Sequence, residues 1–237
     1  MLRLSWNKVI LAVSFYFFAL TTAFAQIGGK EDRYFKDFQK KPYYFGINLG
    51  FNNTGFHVSR SGTFINNDSF NITAGRSNPG LNMHMITNLK IGDFFDFRFI
   101  PGFSFAQRGF EYVEIQTGNT RIREIESVFV EMPFQLRYKS LPYKDKRMFV
   151  LAGLKYSYDV QTNSKSRKSL IKVSPHDFQY EVGLGIQMFY PFFIFSPEIK
   201  FSRGLSNLII YENNKIESRV LDNVTSQIFT ISFNFEG

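Results

Sequence analysis

Apolar and polar residues alternate one by one in eight segments of this chain. In the last of them, Phe229, Ile231 and Phe233 are apolar, and the residues between them are polar. A period of two places the two kinds of side chain on opposite faces of a β-strand. The eight segments are residues 43–51, 81–91, 95–105, 128–138, 150–158, 178–188, 193–201 and 226–235. The pattern therefore predicts an all-β fold of eight strands.

The polar faces of these strands carry charges, and the apolar faces are rich in phenylalanine. The charged positions are Lys90, Arg98, Arg137, Lys155 and Lys200, with Asp96, Glu131, Asp159, Glu181 and Glu198. The chain contains 30 Phe and 12 Tyr. A soluble β-sandwich turns its apolar faces inward, whereas a transmembrane barrel turns them toward lipid and encloses the polar faces. We therefore predict an eight-stranded antiparallel transmembrane β-barrel.

The first 25 residues resemble a cleaved signal peptide. Arg3 and Lys8 precede an apolar run over 9–20, and Ala23-Phe24-Ala25 provides small residues for cleavage before Gln26. The run is short for a retained membrane helix, the alternative interpretation. The predicted organisation is a signal peptide over 1–25, a periplasmic amino-terminal segment over 26–42 and the barrel over 43–237.

Connections between the predicted strands alternate between long and short. The long ones are 52–79, 106–126, 160–176 and 203–225, and the short ones are 92–93, 139–147 and 190–192. Outer-membrane barrels have long extracellular loops and short periplasmic turns. The pattern thus predicts an integral outer-membrane protein with both termini in the periplasm. Pro101, Pro133 and Pro197 fall inside strands, where we expect bulges or kinks.

Four short motifs occur in order along the predicted barrel. They are Lys90-Ile-Gly-Asp93 at a tight turn, Arg98-Phe-Ile-Pro101, Glu131-Met-Pro-Phe134 and Pro197-Glu-Ile-Lys200-Phe-Ser-Arg-Gly204. By these motifs the chain resembles the PorT-like outer-membrane β-barrel family of the Bacteroidetes, from about Tyr43 to Phe235. The resemblance implies an eight-stranded barrel needed for type IX protein secretion, and for gliding in some members, with other secretion components as partners. The chain departs from many barrels because Glu236 and Gly237 follow its last aromatic residue.

The inward charges predict an ion-pair network, because an eight-stranded barrel is filled by side chains and an unpaired buried charge is costly. Its expected members are Arg98, Glu131, Arg137, Lys155, Glu181, Glu198 and Lys200. A filled lumen predicts that the protein is not a general diffusion channel. The alternative is a transport path through the barrel.

Basic residues cluster in one long loop, whose Lys165, Arg167, Lys168 and Lys172 have no acidic neighbour between 160 and 174. This loop is expected either to contact lipopolysaccharide phosphates or an acidic partner, or to be merely solvated. Lys144, Lys146 and Arg147 form a second basic group, which could meet lipid phosphates at a periplasmic turn. The segment 30–41 could form an amphipathic helix under the barrel, dock on another component or remain a mobile tail.

No residue pattern predicts an enzyme, a cofactor or a metal site. The chain has no Cys and three His, and it lacks a phosphate-binding glycine loop. His176 with Asp177 and Ser174 is the one candidate for a lipid-modifying site. An exported barrel does not meet nucleic acid, so nucleic acid is not an expected partner. The predicted function is therefore that of a non-enzymatic component needed for type IX protein secretion, which acts through contacts with other proteins. The alternative is a general envelope-stabilising or adhesion barrel.

Overall fold

The protein is described by a computed structural model that covers residues 33–60, 70–114, 120–161, 172–210 and 221–237. The predicted signal peptide lies outside the described residues. One helix is followed by strands: α1 (Arg33–Gln39), β1 (Tyr43–Arg60), β2 (Phe70–Ile91), β3 (Phe95–Phe99), β4 (Gly102–Glu114), β5 (Thr120–Lys139), β6 (Lys146–Asp159), β7 (Lys172–Val173), β8 (His176–Phe189), β9 (Ile194–Gly204), β10 (Ile209–Ile210) and β11 (Leu221–Glu236).

Antiparallel pairing closes the main sheet on itself. β1 pairs with β11 on one side and with β2 on the other. The sheet has nine strands in the described residues, and β3 and β4 both pair with β2 and with β5. β3 and β4 are therefore two halves of one wall strand, which makes eight strands around the barrel. Strands β7 and β10 form a separate small sheet.

Side chains alternate between the outside and the lumen as the sequence predicts. Met85 is 70 % exposed and Ile86 is 1 % exposed; Phe103 is 55 % exposed and Ser104 is 3 % exposed. The buried set is largely polar or charged, whereas the exposed set is rich in Phe, Leu, Ile and Met. This is the reverse of a soluble protein, and it is the arrangement of a transmembrane barrel.

The strands on one side of the barrel extend far beyond their predicted ends. β1 has 18 residues, β2 has 22 and β5 has 20, whereas β6 and β8 have 14 each. About 9–11 residues suffice to cross a membrane. The expected loop over 52–79 was therefore wrong: β1 continues to Arg60, and β2 starts at Phe70. In these strands, backbone pairing continues beyond the residues in which apolar and polar side chains alternate.

Pro101, Pro133 and Pro197 do not shift the pairing register, so of the bulges or kinks expected at them the bulges were wrong. Ile100 and Pro101 interrupt the wall strand, yet Thr87 opposite Phe99 and His84 opposite Gly102 keep one register. Pro133 and Pro197 lie opposite Lys155 and Phe233 within continuous ladders. The irregularities lie elsewhere, between Ser59 and Arg60 in β1 and at two points in β2.

Helix α1 lies beneath the end of the barrel where the connections are short, which we call the short-turn end (residues 92–94, 140–145 and 190–193). Its Phe35 and Phe38 are buried with Phe189 and Ile194 of the barrel. Within the described parts of the chain, no helix is both long enough and apolar enough to cross a membrane. Of the alternatives for segment 30–41, the structure has the amphipathic helix under the barrel.

Replacing Gly92 with Val tests the turn between β2 and β3. Gly92 has a φ of 74°, and a Cβ added there would meet no atom within 4 Å. The cost is therefore conformational, and the free energy of unfolding should fall by about 1–2 kcal/mol in urea titrations of the micelle-bound protein. Gly92→Asn is the control, because Asn tolerates this backbone region, and it should cost clearly less. Equal losses in the two variants would contradict the assigned turn.

Candidate functional site: the charged lumen and its covered end

Two arginines and two glutamates meet at the centre of the lumen. Arg98 Nη2 lies 2.8 Å from Glu236 Oε1, and Arg98 Nη1 lies 3.4 Å from Glu198 Oε2. Arg137 Nη2 lies 3.5 Å from both carboxylates. The side chains of all four residues are fully buried. Because the residues come from β3, β5, β9 and β11, these ion pairs join opposite walls of the barrel.

A second group of ion pairs surrounds Lys155 of β6. Its Nζ lies 3.2 Å from Glu131 Oε1 and 3.5 Å from Glu181 Oε1. Glu131 also contacts His84 Nε2 at 3.1 Å, and Gln135 donates a hydrogen bond of 2.8 Å to Glu181. Strands β2, β5, β6 and β8 are thereby tied together through the interior.

The structure places all seven members of the predicted lumen network inside the barrel and in contact with opposite charges. Lys200, the seventh, lies 3.3 Å from Glu198. The sequence interpretation ended two strands one residue early and so missed Lys139 and Glu236. Both continue the alternation of their strands, Lys139 after Arg137 and Glu236 after Asn234. Extending the period by one step would have placed both side chains in the lumen.

Gly183 and Gly185 on the inner face of β8 make room for bulky neighbours. A Cβ on Gly185 would approach the ring of Phe149 and the carbonyl of Pro197. Phe149 in turn supports the network, since its ring centroid lies 3.9 Å from Arg137 Cζ. The lumen is therefore packed by aromatic rings as well as by charges.

Nearer the long-loop end, buried polar groups continue the filling. Asp177 accepts hydrogen bonds from Ser226 at 2.5 Å and from Gln179 at 2.7 Å. Arg108 lies between two aromatic rings, with its Cζ 5.1 Å from the centroid of Phe56 and 4.4 Å from that of Phe129. Guanidinium groups stack favourably on aromatic faces.

At the short-turn end, helix α1 covers the lumen. The carboxylate of Asp145, in the turn between β5 and β6, accepts hydrogen bonds of 3.0 Å from the backbone N–H groups of Tyr34 and Phe35. A barrel residue thus caps the helix, whose first N–H groups have no partner within the helix. Burying Phe35 and Phe38 contributes roughly 1.5–3 kcal/mol each. The helix is therefore held by apolar packing and by a cap.

Polar groups of the barrel also reach the helix from above. Lys90 Nζ donates to the carbonyl oxygen of Phe38, and Arg147 Cζ lies 5.1 Å from the ring centroid of Phe35. Arg147 was expected to face lipid phosphates with Lys144 and Lys146, but this was wrong. It lies on the inner face of β6 and is buried, while the two lysines are exposed.

The basic loop predicted to contact lipopolysaccharide or a partner lies mostly outside the described residues. This applies to Lys165, Arg167 and Lys168. Lys172 belongs to β7, which pairs with β10 through Ile210.

The His176 candidate is not assembled as a nucleophilic site. Ser174 Oγ bonds to the backbone of His176, and Asp177 points into the lumen on the opposite face of β8. His176 Nδ1 instead lies 2.6 Å from the hydroxyl of Tyr156. Nucleophilic catalysis needs a hydroxyl within reach of the imidazole and a group that orients it.

The described residues include no group of three or more His, Cys, Asp and Glu side chains placed to hold a metal ion. What the lumen offers chemically is rigidity: charged side chains of β3, β5, β6, β8, β9 and β11 form ion pairs inside it. Paired charges enclosed in this way lock neighbouring strands, while breaking a pair leaves a buried charge.

A closed antiparallel barrel with an apolar exterior and a charged, packed interior defines an integral outer-membrane β-barrel protein. The chain belongs to the outer membrane protein beta-barrel domain family, whose profile matches residues 24–209. The protein is therefore integral to the outer membrane. In this class the short turns lie on the periplasmic side.

Solved structures of outer-membrane proteins are similar to this chain. OprG from Pseudomonas aeruginosa has a TM-score of 0.48 and 11% identity, covering 83% of this chain and 95% of its own. Neisserial surface protein A has a TM-score of 0.42 and 10% identity, covering 80% and 95%. Ail of Yersinia pestis, in complex with the heparin analogue sucrose octasulfate, has a TM-score of 0.38 and 12% identity, covering 83% and 100%. No curated protein sequence matches this one.

Replacing Glu236 with Gln tests the central ion pairs. The change leaves Arg98 and Arg137 to share Glu198, so one buried positive charge loses its partner. The free energy of unfolding should fall by about 3 kcal/mol, as when one partner of a buried pair is removed. A urea titration of the micelle-bound protein, followed by far-ultraviolet circular dichroism, measures this free energy of unfolding.

Lys146→Gln is the matched control, since Lys146 is exposed on the same barrel. Its effect should stay within about 0.5 kcal/mol. A Glu236 variant as stable as this control would show that the central pairs do not hold the barrel together.

The packed lumen also predicts the electrical behaviour of the protein. Reconstituted into a planar lipid bilayer, the purified barrel should give no stable conducting state, because ion pairs cross its interior at two levels. A reproducible open-pore current would contradict this.

Proposed function

We propose that this chain is a non-enzymatic outer-membrane component of the type IX secretion apparatus and acts through contacts with other proteins. The observation that carries the proposal is the order of the four motifs that resemble the PorT-like family. Four of their charged residues, Arg98, Glu131, Glu198 and Lys200, belong to the lumen network. A framework that fixes the barrel is what a stable anchor for partner proteins requires.

The packed lumen favours a role for the surfaces rather than for a passage. At the short-turn end, five lysines are exposed: Lys36, Lys40, Lys41, Lys144 and Lys146. Among the side chains described there, none of the five forms an ion pair with a carboxylate, whereas Lys139, Lys155 and Lys200 in the lumen all do. Unpaired surface cations attract acidic partners and steer their association. An acidic segment of a periplasmic secretion component fits this face.

The second candidate is an envelope-stabilising or adhesion barrel, and strand length favours it. β2 has 22 residues, about twice the number needed to cross a membrane. The long-loop end therefore carries β-structure beyond the membrane, together with the basic loop of Lys165, Arg167 and Lys168. Such a surface suits contact with anionic groups outside the cell.

Deletion of the gene, followed by cell fractionation, tests the proposal. Cargo of the type IX system should accumulate in the periplasm of the deletion strain, and gliding should stop where the organism glides. Complementation with the wild-type gene should restore both. Secretion and gliding that persist without the gene would refute the proposal.

Two charge-reversed complements separate the candidates. Lys36→Glu with Lys40→Glu and Lys144→Glu alters the short-turn face and should leave cargo in the periplasm. Lys165→Glu with Arg167→Glu and Lys168→Glu alters the outer loop and should secrete normally. If only the outer-loop variant has a defect, and that defect is in attachment or envelope integrity, the adhesion role replaces the secretion role.

A further inference from the structure

The charges at the centre of the lumen balance, but those at the short-turn end do not. The central ion-pair network contains Arg98, Arg137, Lys155 and Lys200 against Glu131, Glu181, Glu198 and Glu236, which is four cations and four anions. Equal numbers of opposite charges leave no net charge in this network for a further ion to balance.

Below this network, the residues that the structure describes include three inner cations, Lys90, Lys139 and Arg147, and one buried carboxylate, Asp96. Asp96 pairs with Lys139, whose Nζ is 2.5 Å from Asp96 Oδ1. Lys90 donates to the carbonyl of Phe38, and Arg147 donates to the carbonyls of Ser140 and Asp93. Two of the three cations therefore have neutral acceptors where the central cations have carboxylates.

Electrostatic neighbours of Lys90 repeat this imbalance. Lys41, Lys139 and Arg147 repel its charge, and Asp96 attracts it. The side chain of Asp93 is exposed at the rim, where it accepts a hydrogen bond from Gln39. Counting Asp93, the three inner cations still exceed the carboxylates by one.

The same residues enclose a cavity of about 30 Å³, which we call the turn-end cavity. Three cations line it, Lys90, Lys139 and Arg147, and one carboxylate, that of Asp93. Its other polar lining residues are Gln39, Tyr44 and Gln187, and α1 covers it through Phe35 and Phe38. A space of about 10–15 Å³ in this measure already holds a water molecule. The cavity thus has room for a single small ion, and its polar lining consists largely of hydrogen-bond donors.

We propose that the turn-end cavity binds one small monovalent anion, with chloride as the physiological occupant. The anion supplies the missing negative charge between Lys90, Lys139 and Arg147 and ties β2, β5 and β6 to each other beneath the central network. Gluconate is too large for a space of this volume. This inference does not depend on the proposed function.

Unfolding in two salts tests the proposal on the intact barrel in detergent. The urea midpoint should rise with sodium chloride and reach a plateau, and it should stay lower in sodium gluconate of equal ionic strength. A ligand that binds only the folded state has this saturating effect. Crystals grown in sodium bromide should show one anomalous peak between Lys90 and Arg147.

Variants locate the effect. Lys90→Gln should fold, because Lys90 forms no ion pair with a carboxylate of the described residues, and it should lose the difference between the two salts. Lys90→Arg keeps the charge and should keep the difference. Lys146→Gln alters an exposed lysine at the same end of the barrel, and this variant should behave like the wild type.

Equal midpoints in chloride and gluconate would overturn the proposal. So would a chloride effect that Lys90→Gln leaves unchanged. A bromide peak without any chloride-dependent stability would mean an adventitious ion only, and this result would overturn it as well.

Discussion

Hydrocarbon offers no hydrogen bonds, and this one constraint determines how the chain folds. Each strand must satisfy its backbone polar groups through neighbouring strands, so the sheet has to close, as it does where β1 pairs with β11 and β2. Closure encloses one face of every strand. Because the phenylalanine-rich face lies against lipid, the charged face is enclosed, and its charges must find partners in a space without bulk water.

The pairing of those charges makes the barrel rigid. Arg98, Arg137, Glu198 and Glu236 come from four wall strands and meet in the lumen, so none of these four strands can shift by one residue without leaving a buried charge unpaired. A shift of one residue would also turn the lipid-facing phenylalanines of the shifted strand inward. Packing outside and ion pairs inside therefore specify the same register. Arg98, Glu131, Glu198 and Lys200, which are among the residues that carry the family resemblance, belong to these ion pairs.

The ends of the barrel differ in a way that bears on function. At the short-turn end, Asp145 and the apolar pair of Phe189 and Ile194 hold helix α1 across the lumen. At the other end, long strands such as β2 continue the wall beyond the membrane. The interior is thereby separated from the periplasm, and the surfaces that can engage partners are the helical face and the projecting strands.

Much of this arrangement could be predicted from the sequence because a period of two is a local signal. It identified the lipid-facing positions, the number of wall strands and the seven lumen charges. It could not show that Glu236 joins Arg98, since their separation of 138 residues is bridged only when the barrel closes. It also could not choose between a docked helix and a free tail. The docking depends on Asp145, Phe189 and Ile194, which are far from α1 in the sequence.

The central claim is that lipid touches the phenylalanine-rich face while the charged face is enclosed. Methyl nuclear magnetic resonance of the barrel in lipid nanodiscs tests it without any mutation. Acyl-chain protons should give cross-peaks to the methyl groups of Leu184 and Ile231, which are exposed, and none to those of Leu151 and Ile228, which point inward. Cross-peaks from acyl chains to Leu151 and Ile228, with none to Leu184 and Ile231, would contradict the account.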